Sequence, residues 1–444
     1  MFNQARQFVF FINSKYIIMN RVILSAAALA FGGFAMAQTP QTIVNPGQQV
    51  SPVNPAAVVG GNYSNIDQKG QGSDALVQQQ GTSNISFIEQ TGTNVSNRNS
   101  VDVLQWGNVQ PAISGQLNYS DIKQDGEGNG YTLVQQGDYN ENYGTQVGVD
   151  NTAFVQQGAN NPQQAEANLA IVDQDGLGND AEVQQRYDNN ESSILQRNDV
   201  ATGVGNRSYQ EQIADPNMSS GHVAIGTQYG DGNTLVQMQK GGPLGTGAGN
   251  YAESNQGDAA DAATNAFAQQ VQEGDLNEAY ASQKGVDNTL YQEQAGTSNV
   301  AVASQADNPT SGSDLYAEQY QLGDLNEART KQNGANNESY QEQYGTSNFS
   351  TIEQRGGVNP ADANVAISIQ DGMMNVSSIE QKARGNHAMV DQTGNGQMSV
   401  ITQNVGSSSA PNGNGYNTAT VIQRNANVAL TPQTQRAPAT RRHF

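Results

Sequence analysis

The chain has 444 residues, 41 of them acidic and 20 basic, for a formal net charge of −21 and no cysteine. A surface this acidic argues against nucleic-acid binding, and the missing thiols exclude a disulfide framework or a thiolate metal site. With 35% hydrophobic residues and an excess of Gly, Asn and Gln, composition alone points to low complexity rather than to the two or three globular domains the length would allow.

The chain begins with a targeting signal. Residues 1–18 read as an upstream extension, and residues 19–37 as a secretory signal peptide. Met19-Asn20-Arg21 supplies the positive start, Val22 to Phe34 the apolar run, and Ala35-Met36-Ala37 the cleavage site before Gln38. That run is too short to span a membrane, and a longer helix over 8–37 is interrupted by Asn13, Lys15, Asn20 and Arg21. Residues 38–61, with Pro40, Pro46, Pro52 and Pro55, read as a flexible leader: a plain linker, or a segment recognised by an export pore.

From Asn62 to about residue 428 the chain repeats itself. Gln272, Gln283, Gln294 and Gln305 are eleven residues apart, as are Gln321, Gln332, Gln343, Gln354 and again Gln370, Gln381, Gln392, Gln403. Most carry a glycine two places on (Gly274, Gly285, Gly296, Gly323, Gly334, Gly345). Most also carry an asparagine five places on (Asn277, Asn288, Asn299, Asn326, Asn337, Asn348). Between Asn and the next Gln the residues alternate, as in Asn375-Val-Ser377-Ser-Ile379-Glu-Gln381. Period two predicts a strand, and Gln-x-Gly-x-x-Asn predicts a turn, because glycine tolerates positive φ. An eleven-residue strand and turn has no core of its own. Two per rung of about 22 residues, stacked roughly 4.8 Å apart, give an all-β solenoid of amyloid-like stacking. Each inward amide then meets its copy on the next rung, where it is donor and acceptor at once. Asn-to-Gln pairs six apart occur twenty-three times in this register, from Asn62/Gln68 to Asn417/Gln423. At eleven residues per strand the repeats predict roughly 33 strands in 16 rungs, about 75–80 Å long.

Two stretches, 91–117 and 240–271, fit the register poorly. The glycine-rich Gly241 to Gly249 reads as a bulged turn, since no strand-then-helix context supports a phosphate loop. A longer period of 49 residues links Gln272, Gln321 and Gln370. Its extra residues fall around Asn308-Pro309 and Asn359-Pro360, with related inserts at Asn161-Pro162 and Asp215-Pro216. These predict longer loops on one common edge, every second rung, as tolerated insertions or as a binding row. Residues 429–444 form a basic tail with Arg436, Arg441 and Arg442.

No catalytic, metal or cofactor site stands out. His222 takes the place of a ladder Asn, His387 faces outward, and neither has a metal-ligand partner at useful spacing. Asp125-Gly-Glu-Gly-Asn129 and its relatives read as turns rather than calcium loops. Outward aromatics such as Phe87, Phe154, Tyr209, Tyr280, Tyr291, Tyr340 and Phe349 suit cross-strand packing or an adhesive stripe.

The pattern resembles the curlin repeat, the Ser/Asn-x5-Gln-x-Gly-x-x-Asn-x5-Gln motif of bacterial curli subunits, as in Gln283-Lys-Gly285-Val-Asp-Asn288-Thr-Leu-Tyr-Gln-Glu-Gln294. The resemblance covers about Asn62 to Asn427. It implies a secreted, non-enzymatic subunit that polymerises outside a Gram-negative cell into functional amyloid of adhesive fibres and biofilm matrix. Its implied partners are further copies of itself, a nucleator subunit, an outer-membrane export pore, and host or abiotic surfaces. The chain departs from the family in its length, its 49-residue super-period and its leader. A monomeric or surface-anchored solenoid adhesin, with ligand bound along the loop edge, is the rival reading.

Overall fold

The computed structural model describes residues 61–106, 117–158, 165–214, 220–241, 249–306, 313–357, 360–403 and 416–425. The stretches read above as upstream extension, signal peptide, leader (up to residue 60) and basic tail lie outside the described residues. Within them the chain is a parallel β-solenoid of two facing sheets. Successive strands alternate between the sheets. Sheet 1 begins with Tyr63–Gln71 and sheet 2 with Ser73–Gln80, and each main path holds fourteen strands in chain order. Fourteen rungs at the usual strand spacing make a column about 65 Å long, shorter than the 16 rungs expected, because long connections consume residues that the eleven-residue count assigned to strands.

Register is kept without exception along these paths. Glu278 lies on Val300, 22 residues on, and Val300 lies on Glu327, 27 residues on, so a connection that lengthens adds five residues to the edge and none to the strand. Alternation then sorts the side chains, giving patterns such as half-buried, buried, half-buried along Glu338–Thr346. The stretches that fit poorly in sequence hold regular strands, Asn99–Trp106 and Tyr251–Gln256. Much of their connections, residues 107–116 and 242–248, lies outside the described residues, and with it most of the glycine-rich Gly241 to Gly249.

The core differs along its length. At the N-terminal end it is apolar, with Ile88, Val103, Ile122, Leu133, Val172 and Ile194 buried together, and at the C-terminal end Ile352, Ile379, Val390 and Ile401 do the same. In the middle the aliphatic position of sheet 2 is taken by a further glutamine row, Gln210, Gln237, Gln270, Gln292, Gln319 and Gln341, each donating to the next at 2.6–2.9 Å. The longer amide fits because sheet 1 offers small or hydroxyl partners there. A Cβ on Gly226 would sit 3.2 Å from Gln210 Nε2, and Thr330 Oγ1 donates to Gln341 Oε1 at 2.8 Å.

Size is matched across the core elsewhere too. Tyr131 is fully buried, its hydroxyl donates to Asn142 Oδ1 at 2.8 Å, and a Cβ on Gly144 would lie 2.4 Å from its ring. Gly144→Leu is therefore expected to destabilise the N-terminal half by about 1–3 kcal/mol through overpacking. Adding Tyr131→Ala should return part of that loss in denaturant unfolding, whereas additive losses would show that the two residues do not compete for the same space.

The long connections do not share one edge. Those after Thr152–Gln157 and after Arg207–Ile213, which carry Asn161-Pro162 and Asp215-Pro216, run from sheet 2 to sheet 1. Those after Val300–Gln305 and after Phe349–Gly356, which carry Asn308-Pro309 and Asn359-Pro360, run from sheet 1 to sheet 2. In each group they recur every second rung, but the two groups lie on opposite edges. A 49-residue period fixes how often a loop recurs and says nothing of which half-rung it interrupts. The inserts themselves fall mostly outside the described residues.

Candidate functional site

The amide rows are the feature that repeats through the whole column. Every strand of both paths ends its inward face on a glutamine, buried or half-buried in all but the exposed first strand. In sheet 1 the row runs unbroken from Gln68 to Gln403. Nε2 of one residue donates to Oε1 of the next, as Gln283 does to Gln305 (2.8 Å), Gln305 to Gln332 (3.0 Å) and Gln332 to Gln354 (2.9 Å). In sheet 2 it runs from Gln79 to Gln272 and from Gln294 through Gln321, Gln343 and Gln370 to Gln423. The second N–H of the amide turns across the core. Gln283 donates to the Phe267 carbonyl at 3.0 Å, Gln332 to that of Tyr316 at 2.9 Å and Gln343 to that of Glu327 at 2.9 Å, each on the opposite sheet. One side chain thus joins successive rungs and clamps the two sheets together.

The asparagines make a second pair of rows at the edges, directed the other way. Oδ1 of one Asn accepts from the backbone N–H and often the Nδ2 of the Asn on the following rung, as Asn277 does from Asn299 (3.1 and 3.0 Å) and Asn299 from Asn326. The Nδ2 group also reaches the turn glycine of the next rung. Asn277 bonds the Gly296 carbonyl at 2.9 Å, Asn326 that of Gly345 at 2.9 Å and Asn348 that of Gly372 at 3.0 Å. Asn277, Asn288, Asn299, Asn326, Asn337, Asn348 and Asn375 are all buried. Five rung positions lack the asparagine that precedes a ladder Gln: Ser73, His222, Ala266, Leu315 and Gln397. Asn288 sits between Ala266 and Leu315, so its row is interrupted there, and its Nδ2 turns to the Lys284 carbonyl at 2.6 Å. His222 is fully buried and keeps its row through the ring: Nδ1 accepts the Asn250 backbone N–H at 3.3 Å while Nε2 faces the Ile213 carbonyl at 3.1 Å.

The turn glycines Gly274, Gly285, Gly296, Gly323, Gly334 and Gly345 have φ between 89° and 122°. Space forbids a side chain as firmly as φ does, since a Cβ on Gly296 would lie 2.0 Å from the Gly323 carbonyl oxygen. Sequence reasoning missed a second left-handed position, the residue immediately before the ladder Asn. Leu276, Leu325 and Met374 adopt φ of 50°, 55° and 56° there and are more than half exposed. A non-glycine residue gives no compositional hint of this, and the conformation costs about 1–2 kcal/mol each. The further glutamine row had a visible signal, the Gln-x-Gln pairs such as Gln292-Glu-Gln294.

Outward, rings zigzag between neighbouring strands, with Phe267–Tyr291, Tyr291–Tyr316 and Tyr316–Tyr340 centroids 5.4–6.0 Å apart. Glu293 lies among them, half-buried and aligned with Tyr320 and then Glu342. Burial, then the charges of Glu318 and Glu273, push its carboxyl up to about 8. A carboxyl raised on folding stabilises most fully below its unfolded value, near 4.5, and that contribution is lost as pH rises through about 8. Glu293→Gln should accordingly melt above the parent at pH 9 while differing little at pH 5. A variant as pH-sensitive as the parent would place the titration elsewhere.

These features define the class: a parallel β-solenoid whose rungs are tied by polar amide rows, stacked as in amyloid. Residues 323–356 match the family model of the curlin associated repeat, spanning three strands of the column, and the match supports a curlin-repeat assignment. No curated protein matches the chain.

Proposed function

We propose that the chain is a secreted structural subunit that joins copies of itself end to end into curli-like extracellular fibres, serving cell adhesion and biofilm matrix. The observation that carries this reading is the open first rung. Tyr63–Gln71 is exposed along its whole length, and among the described residues nothing covers it. A parallel strand left so presents a full row of N–H and C=O groups to a further strand. The curlin-repeat match supports the same reading, since that repeat belongs to extracellular surface fibres. Its partners on this view are other copies, a nucleator, an outer-membrane pore of a Gram-negative host cell, and the surfaces to which the fibre adheres. The work is mechanical, and no reaction is assigned to it.

The test is direct. The chain from Gln38 onward, purified and left in buffer for a day, should give thioflavin-positive fibres in negative-stain micrographs. Monodisperse particles that bind a surface ligand, with no fibres, would favour a monomeric adhesin instead.

A further inference from the structure

At three inward positions of each strand the two ends of the column carry the same residues, while the middle does not. The first strand of sheet 1 turns Ser64, Ile66 and Gln68 inward, and the last turns Ser399, Ile401 and Gln403 inward. In sheet 2 the first strand has Ala75, Val77 and Gln79, and the last Ala419, Val421 and Gln423. The central rungs place Gln237, Gln270 or Gln292 where the ends have valine, against Gly226 or Ala281 rather than isoleucine. An end stacked on a second end thus continues these six inward columns, with methyl on methyl and amide on amide, while at the edges Gln397 meets Asn62 and Asn417 meets Ser73.

The hydrogen-bond sense selects which end meets which. Glutamine rows donate toward the C-terminal rung, so at the first rung Oε1 of Gln68 and of Gln79 receives no amide among the described residues. At the last rung Gln423 Nε2 donates to the Met398 carbonyl, which leaves its second N–H for an acceptor. The asparagine rows run the opposite way: Asn62 Oδ1 accepts the Asn84 backbone N–H at 3.1 Å, so in the same sense the backbone N–H of Asn62 is the donor offered to a preceding rung. Two like ends would set acceptor against acceptor or donor against donor. Outward residues agree: in the matched register Thr402 lies on Asp67, Thr418 on Asp74 and Arg424 on Gln80, so no like charges meet.

We propose that the partner of the first rung is the last rung of a second copy, in one polarity and one register, with Gln403 over Gln68 and Gln423 over Gln79. This rests on the assembly reading above and specifies its junction. The absence of cysteine makes it testable by cross-linking. Asn65 and Val400 are outward and exposed, and the register brings them onto adjacent strands, about 4.8 Å apart and within disulfide reach. In fibres of the Asn65→Cys/Val400→Cys double variant, mild oxidation should give a ladder of covalent multimers on a non-reducing gel. Each single variant should stay monomeric under the same oxidation, and Asn65→Cys/Thr402→Cys, displaced by two residues, should cross-link at least several-fold less. Cross-linking of a single variant would establish like ends meeting and overturn the polarity. Fibres of the double variant that do not cross-link would overturn the register while leaving assembly standing. Failure of the parent chain to form fibres would remove the assembly reading and this junction with it.

Discussion

Replacing Gln283, Gln294, Gln332 and Gln343 together with leucine should lengthen the lag of fibre formation by roughly tenfold or more and lower the stability of the folded column. Each leucine removes an axial amide bond, three of the four also remove a bond to the opposite sheet, and each leaves an amide oxygen of the next rung without its donor, at about 1–3 kcal/mol for each group stranded. Loss of Gln283 strands Gln305 Oε1 and takes the cross-core donor from the Phe267 carbonyl, and loss of Gln332 strands Gln354 Oε1 and does the same at Tyr316. The comparison is Glu293→Gln with Glu342→Gln, a change of outward residues on the same rungs. Its lag should stay within about twofold of the parent, because no buried partner is left unpaired. The checks are thioflavin kinetics for assembly and hydrogen exchange for the rows. Equal delays in the two variants would mean that the buried amides carry no more of the structure than the surface does.

The second large effect concerns acid. Burial holds the His222 imidazole down to about 4, and its Nδ1 must stay unprotonated to accept the Asn250 N–H. A group depressed on folding contributes stability that is complete above its unfolded value of 6.5 and lost as pH falls through about 4. Between those values the column should weaken at this rung first, because protonated Nδ1 would point a donor at a donor. Hydrogen exchange at pH 4 should show opening around Asn190, His222 and Asn250 before the apolar ends. His222→Asn restores the amide of the other rungs and should abolish that local opening while leaving neutral-pH stability nearly unchanged. Persistence of the opening in the variant would assign acid sensitivity to the carboxylates instead.

Much of this fold is legible in sequence because a buried amide tolerates no substitute. Gln283 needs an acceptor on the next rung and a carbonyl across the core, so its spacing is rigid and can be counted. Gly296 is legible for a similar reason, since neighbouring backbone occupies the space of a side chain. Loop placement was not legible, because Asn161 and Asn308 carry the same Asn-Pro signature whichever sheet precedes them. The middle glutamine row escapes a count built on the eleven-residue step, and only the pairing with Gly226 and Thr330 explains how Gln210 and Gln341 are housed. Leu276, Leu325 and Met374 hide a left-handed backbone behind ordinary side chains.

The opposed sense of the two kinds of row has an electrical consequence. In an α-helix all peptide dipoles add, and a field builds at the ends. Here the dipoles of the glutamine amides point along the axis one way and those of the asparagines the other, so they largely offset one another. Adding rungs therefore accumulates little potential at the growing tip, and extension meets no mounting electrostatic penalty from the core however long the column becomes.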